Sequence, residues 1–212
     1  MTTTRAALIV SFIGLLAASC GSAEADGSPG ANSSPEADVT ATTTALSCAE
    51  ITAFADRITD VGIMYDYQPS GSPRDLASEN DVVFAGLLTG ETADGSTEPD
   101  DEDGVGYVSF EIEVADVAVG ADTIAVDDRV SVAVDYNPTD ISAAEFREVA
   151  VAGIPVVVFA NATDDDRGFV AALEGLMTAC DGAEPIGLRG TTAGWADIES
   201  LDEVLSLARA GE

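Results

Sequence analysis

From residue 46 onward the apolar positions follow two periods. Ile51, Phe54, Ala55, Ile58 and Val61 recur three and four apart, which predicts a helix with one buried face. Ser47-Cys-Ala-Glu50 in front of them has the form of a capping box, and Gly62 can end the helix. A shorter helix is expected over Ser72–Glu79, with Pro73 in its first turn and Leu76 turned inward. Val82–Leu88 is then a nearly unbroken apolar run, read as a strand in which Gly86 marks a bulge or sharp bend. Gly90–Gly106 is polar and acidic and reads as a loop.

The period of two is clearest next. Val108, Phe110, Ile112 and Val114 alternate with Ser109, Glu111, Glu113 and Ala115, the pattern of a strand with one buried face. Ile124 and Val126 continue apolar, Asp127-Asp128 turn the chain, and Val130, Val132, Val134 and Tyr136 alternate again. An acidic stretch carrying Phe146, Val149 and Val151 leads to Ile154-Pro155-Val-Val-Val-Phe159, a buried strand opened by proline. Phe169–Cys180 fits both periods. A helix face would hold Phe169, Ala172, Leu173, Leu176, Met177 and Cys180, a strand Phe169, Ala171 and Leu173. Gly175 would cost a helix about 1 kcal/mol, and the strand is preferred. Ser200–Ala210, with Leu201, Val204, Leu205 and Ala208, predicts a terminal amphipathic helix.

Short strands with long connections, bracketed by helices, give a mainly β (α+β) fold, an antiparallel barrel closed or nearly so. The segments Asp81-Val-Val-Phe-Ala-Gly86, Tyr107–Val119, Asp128-Arg-Val-Ser-Val-Ala-Val134 and Pro155-Val-Val-Val-Phe159 resemble, in order, the strands of secreted bacterial OB-like domains. That family's third strand usually opens with Gly-Asp, where this chain has Asp127-Asp128. The resemblance covers roughly residues 72–195 and implies an OB-like barrel flanked by N- and C-terminal helices.

The first twenty residues differ from everything after them. Arg5 precedes a run from Ala6 to Ala18 that is apolar except for Ser11 and Gly14, and Ala17, Ala18 and Ser19 lead into Cys20. A basic start, a short apolar stretch and small residues form a secretory signal. The apolar stretch is shorter than the roughly 20 residues of a membrane span. The placement of Cys20 resembles the lipobox of bacterial lipoproteins, although Ala17 stands where that family prefers Leu. The resemblance implies cleavage before Cys20, lipidation of its sulfur and attachment to the outer, extracytoplasmic face of the cell membrane. Two or more acyl chains make such an anchor stable. A soluble secreted form cut nearby is the alternative. Residues 20–45 contain one large apolar residue, Val39, too little to offset ordering entropy. They are expected to be a flexible linker averaging roughly 25–30 Å end to end. The expected organisation is thus signal peptide 1–19, anchored linker 20–45 and one globular domain 46–212.

Charge narrows the function. The chain has 39 Asp+Glu against 8 basic residues, all Arg, and a net charge of −31. Loss of residues 1–19 removes one Arg and no acid, giving −32. Such a chain repels phosphate backbones, so nucleic acid is not an expected partner. It also stands off an anionic membrane rather than lying on it. There is no histidine, which removes Ser-His-Asp and Cys-His catalysis and His-ligated zinc. The lysine-free, Asp-rich composition fits either a GC-rich genome or adaptation to high salt, and neither assigns an activity.

Once Cys20 is given to lipid, Cys48 and Cys180 remain at the two ends of the globular region. In an oxidising compartment a disulfide is expected between them. Two buried thiols are the alternative, and a redox pair would ordinarily need a C-x-x-C spacing that the chain lacks. Two acidic runs invite calcium: Asp100, Asp101, Glu102 and Asp103 before Gly104, and Asp164, Asp165 and Asp166. The first fails as an EF-hand, since Gly104 at position six puts Pro99 at one and Phe110 at twelve. Solvated loops are the expected reading of both, and no cofactor is assigned. Glu111 and Glu113 share a strand's outer face, and no carboxylate pair stands out as an acid–base couple. Trp195 is expected to pack as core or as a barrel-end cap, and Tyr65 and Tyr67 against the barrel edge. The expected function is a non-catalytic binding module of the cell envelope, with a protein or glycan partner. The alternatives are an envelope hydrolase with paired carboxylates and a calcium-dependent adhesion module.

Overall fold

Helix α1 (Cys48–Thr59) starts at its capping box. The Glu50 carboxylate accepts from the Ser47 N–H at 2.8 Å, and the Glu50 N–H donates to the Ser47 hydroxyl at 3.3 Å. These bonds satisfy two donors that the first turn leaves open, and the Ser47 contacts hold Glu50 below the ordinary Glu pKa. The computed structural model describes residues 46–63, 68–96, 104–165, 167–187, 195 and 197–210. The expected signal peptide, Cys20, the linker, and Tyr65 and Tyr67 therefore lie outside the described residues.

Helix α2 (Pro73–Ser78) follows its Ser72 cap. The strands are β1 (Val82–Ser96), β2 (Gly106–Val119), β3 (Arg129–Tyr136), β4 (Pro155–Ala162), β5 (Phe169–Thr178) and β6 (Ile186–Gly187), with α3 (Ala143–Val149) between β3 and β4 and α4 (Leu201–Arg209) last. The fold is mostly antiparallel sheet with a few helices. Strand order is β3-β2-β1-β4-β5-β6, and β3 also pairs with β5 in parallel through Val132–Phe169 and Ala133–Val170. Pairing therefore runs β1–β2–β3–β5–β4 and back to β1.

Two apolar layers explain the two kinds of strand. Val82, Phe84 and Leu88 of β1 and Val156, Val158 and Ala160 of β4 join Val108, Phe110, Ile112 and Val114 in one core. Val83 of β1, Val157 and Phe159 of β4, and Met177 of β5 point the other way, into a second cluster under α2 and α4. Burial on both faces is why β1 and β4 read as unbroken apolar runs. Along the alternating part of β2, Glu113 is exposed and Glu111 half-buried, so one face meets solvent. Helices α1 and α3 complete the first core. Phe110 lies 5.4 Å from Phe54 and 6.4 Å from Phe146, ring centre to ring centre, with both contacts edge-on.

Three elements differ from the sequence reading. The stretch expected to be a loop from Gly90 continues β1 to Ser96, where Thr92–Ser96 pair with Gly106–Phe110. A polar strand arm is sustained there by its backbone ladder with β2. Ile124 and Val126 belong to the β2–β3 connection, Ile124 buried and Val126 exposed. Helix α3 is additional. Its signal is Ser142-Ala-Ala-Glu145, a second capping box in which the Ser142 N–H donates to Glu145 at 2.9 Å. Phe169–Thr178 is the strand that the Gly175 argument prefers.

Gly86 sits where the β1–β2 register shifts, between Ala85 and Gly86. A Cβ there would lie 2.5 Å from the Glu113 carbonyl oxygen and 2.6 Å from Ile112 Cγ2. Gly86→Ala is therefore expected to force the strands apart and cost about 1–3 kcal/mol in a urea melt. Asp127, in the turn before β3, has φ +70°. That left-handed backbone favours glycine. Asp127→Gly is expected to leave the fold unchanged and add up to about 1 kcal/mol of stability, read from the same melts.

Candidate functional site

Cys48, the first residue of α1, is joined to Cys180, two residues beyond β5, with Cα atoms 5.4 Å apart. The bridge ties the start of the first helix to the end of the sheet's fifth strand. Its place is structural, since Cys180 also packs against the first core.

Chemistry-bearing side chains gather on the outer face of β2 and β3. Register sets Tyr107 opposite Asp135, Glu111 opposite Ser131 and Glu113 opposite Arg129. Arg129 reaches Glu111 at 3.3 Å and Glu113 at 3.8 Å. These pairs are largely exposed, and each is worth little alone. Arg167, just before β5, is better enclosed. Its guanidinium lies 5.9 Å from the Tyr107 ring centre, 3.8 Å from Asp135 Oδ1 and 2.9 Å from Asp165 Oδ2.

The two acids that share Arg167 differ in environment. Asp165 accepts from the Arg167 backbone N–H at 3.0 Å and from the Thr163 hydroxyl at 2.9 Å, and these bonds hold it below the ordinary Asp value. Asp135 is half-buried. Desolvation raises its pKa, the Asp165 charge adds to the rise, and Arg167 opposes it. Its Oδ1 is buried and takes no hydrogen bond among the described residues, leaving the 3.8 Å ion pair as its contact.

A second polar feature lies on β5 beside the second apolar cluster. Glu174 of β5 is buried, and its carboxylate accepts from the Ser70 N–H at 3.0 Å. The Trp195 indole N–H donates to the carbonyl of the same Ser70 at 3.1 Å. Trp195 is core, packed 6.2 Å from Phe159 in the second cluster. Glu174 borders a cleft of about 280 Å³ shared with Gln68, Asn80 and Asn161. The sequence offered no signal for it beyond one acid in an apolar strand.

Of the acidic runs, Asp100, Asp101, Asp103 and Asp166 lie outside the described residues. Asp164 is exposed, and the Asp165 carboxylate is occupied by Arg167 and Thr163. Among the described residues no group of three His, Cys, Asp or Glu is placed to hold a metal ion, and no helix is long and apolar enough to cross a membrane. Sequence reasoning did not find Arg167, Tyr107 or Asp135, which lie far apart in the chain. No protein-family model, curated protein or solved structure matches this chain.

Proposed function

We propose that the chain is a lipid-anchored, extracytoplasmic protein of the cell envelope whose globular part is a non-catalytic binding module on an OB-type barrel. The observation that carries the barrel reading is the circuit β1–β2–β3–β5–β4–β1, with a parallel β3–β5 step and a helix between β3 and β4. OB-type barrels bind ligands on the face of their second and third strands and its bordering loops. Here that face carries Tyr107, Glu111, Glu113, Arg129 and Asp135. With acids in excess, both on this face and over a chain of net charge −31, its partner is a neutral glycan or a basic protein surface. Nucleic acid is disfavoured by the same charge. The step from fold to binding is one of architecture; the anchor rests on the signal and Cys20 in the sequence.

Intact mass of the protein from native membranes, with and without reduction and alkylation, tests the anchor. The expected species begins at Cys20, carries acyl groups and takes up alkylating reagent only after reduction. An unlipidated chain with freely alkylated cysteines would overturn it. Binding is then measured with the purified chain against glycan and basic-protein probes at two salt concentrations. A basic partner is expected to weaken with salt, a glycan to be indifferent. Binding unaffected by Glu111→Arg and Tyr107→Ala would remove the β2–β3 face from the reading.

A further inference from the structure

Helix α2 passes into β1 through Glu79, Asn80 and Asp81, and at this corner two asparagine side chains are locked together. The Asn80 Nδ2–H donates to the Leu76 carbonyl at 2.7 Å, and the Asn161 Nδ2–H donates to Asn80 Oδ1 at 3.1 Å. Asn161 Oδ1 accepts from the Asp81 N–H at 3.1 Å, and the Asp81 carboxylate accepts from the Ala162 N–H at 3.0 Å. A carbonyl only accepts and a backbone N–H only donates, so the Leu76 and Asp81 contacts fix which end of each amide is nitrogen and which is oxygen.

Both amides line the cleft of about 280 Å³, with Gln68, Glu174 and the apolar Leu76 and Ala172. We propose that this cleft binds one ring of a neutral sugar, held by the Asn80–Asn161 amide pair. The inference stands apart from the β2–β3 face, with which the cleft shares no residue.

Three features select that chemistry. A primary amide has two N–H donors and two oxygen lone pairs. The bonds above use one of each on both Asn80 and Asn161. Each amide therefore keeps one donor and one acceptor, the pairing that a hydroxyl group, itself donor and acceptor, matches. Because the backbone already holds both amides, a ligand has little side-chain ordering to impose. The second feature is apolar. Leu76 is buried and Ala172 half-buried, a wall suited to the C–H face of a sugar ring. The third is charge. Glu79 and Glu174 are the charged residues of the lining, so uronates and phosphosugars are disfavoured. Glu174 is buried, and its carboxylate is fixed by the N–H of Ser70, whose carbonyl Trp195 holds in turn. An ammonium ligand would meet carboxylates, but no aromatic ring among the described lining residues to cover it. The volume lies just below the usual range of ligand pockets, about 300–1,000 Å³, which suits one ring rather than a chain.

The side-chain amide signals of the isotope-labelled, disulfide-intact full chain report on this site directly by NMR. The probes are methyl glucoside, methyl mannoside, methyl galactoside and N-acetylglucosamine. At least one is expected to move the Asn80 and Asn161 signals, saturating with a Kd of about 1–10 mM, the strength of a ligand of about a dozen heavy atoms. Glucuronate should bind about fivefold more weakly or less well still. Asn161→Ala should weaken the sugar about five- to tenfold, the loss of one or two hydrogen bonds. Gln68 is exposed, and Gln68→Ala, with an expected loss of about two- to threefold, carries the test if Asn161→Ala folds poorly. Asn80 and Asn161 signals that none of the sugars moves would overturn the proposal. So would equal binding of glucuronate, or a response to choline in place of the sugars. Sugar binding lost in Tyr107→Ala yet kept in Asn161→Ala would also overturn it, placing the ring on the β2–β3 face instead.

Discussion

Replacing Cys48 or Cys180 by serine is expected to lower the stability of the domain by about 3–5 kcal/mol. The bridge closes a sequence separation of 132 residues, for which the chain-entropy account gives about 5 kcal/mol as an upper figure. At the size of this domain, such a loss corresponds to a melting temperature lower by roughly 10–15 °C. Scanning calorimetry of the oxidised wild type, the reduced wild type and the double serine variant checks it. The reduced protein and the double variant should agree, because the effect lies in the loop rather than in either side chain. Coincident melting of oxidised and reduced protein would mean that α1 holds its place through packing alone, with Ile51, Phe54 and Ile58 sufficient to fix it.

Phe110→Ala is the second large expectation, with a loss of about 3–5 kcal/mol. Phe110 is fully buried and stands edge-on to both Phe54 and Phe146. It therefore joins β2 to α1 and α3 at once, and truncation empties a site whose walls belong to three elements and cannot collapse together. The partner substitution Phe146→Ala should cost a similar amount. Because the rings touch, the double variant should lose less than the two single losses combined. Chemical denaturation of the four proteins measures that coupling, and strict additivity would show that Phe110 and Phe146 act independently.

What was legible in the sequence follows the range of the interaction that specifies it. Capping is local, so Ser47 and Glu50 mark the start of α1 correctly, and Ser142 and Glu145 mark α3 by the same chemistry. Alternation is local too, and it places the start of β2 and both ends of β3 to within a residue or two, while β2 runs on to Val119 past the alternating part. The polar arm of β1 past Leu88 escapes that reading because exposed strand residues carry no apolar period. The β3–β5 closure joins Val132 and Ala133 to Phe169 and Val170, and nothing in either stretch alone announces the other. The same holds for the Arg167 cluster. Asp165 read by itself suggests a cation ligand; Arg167, two residues on, supplies the cation. Cysteine parity pairs Cys48 with Cys180 without any knowledge of the strands between them, and the structure joins the same two.

The position of that bridge has a mechanical consequence. Tension applied between the two ends of the chain would cross from Cys48 to Cys180 through sulfur, so the residues between them would carry none of it. Stretching could draw out only the segments before residue 48 and after residue 180, α4 among them. Reduction would place the whole sheet in the load path and add roughly 450 Å of extensible length, at about 3.4 Å per residue over the 132-residue separation. Force spectroscopy would read the bridge as a contour length.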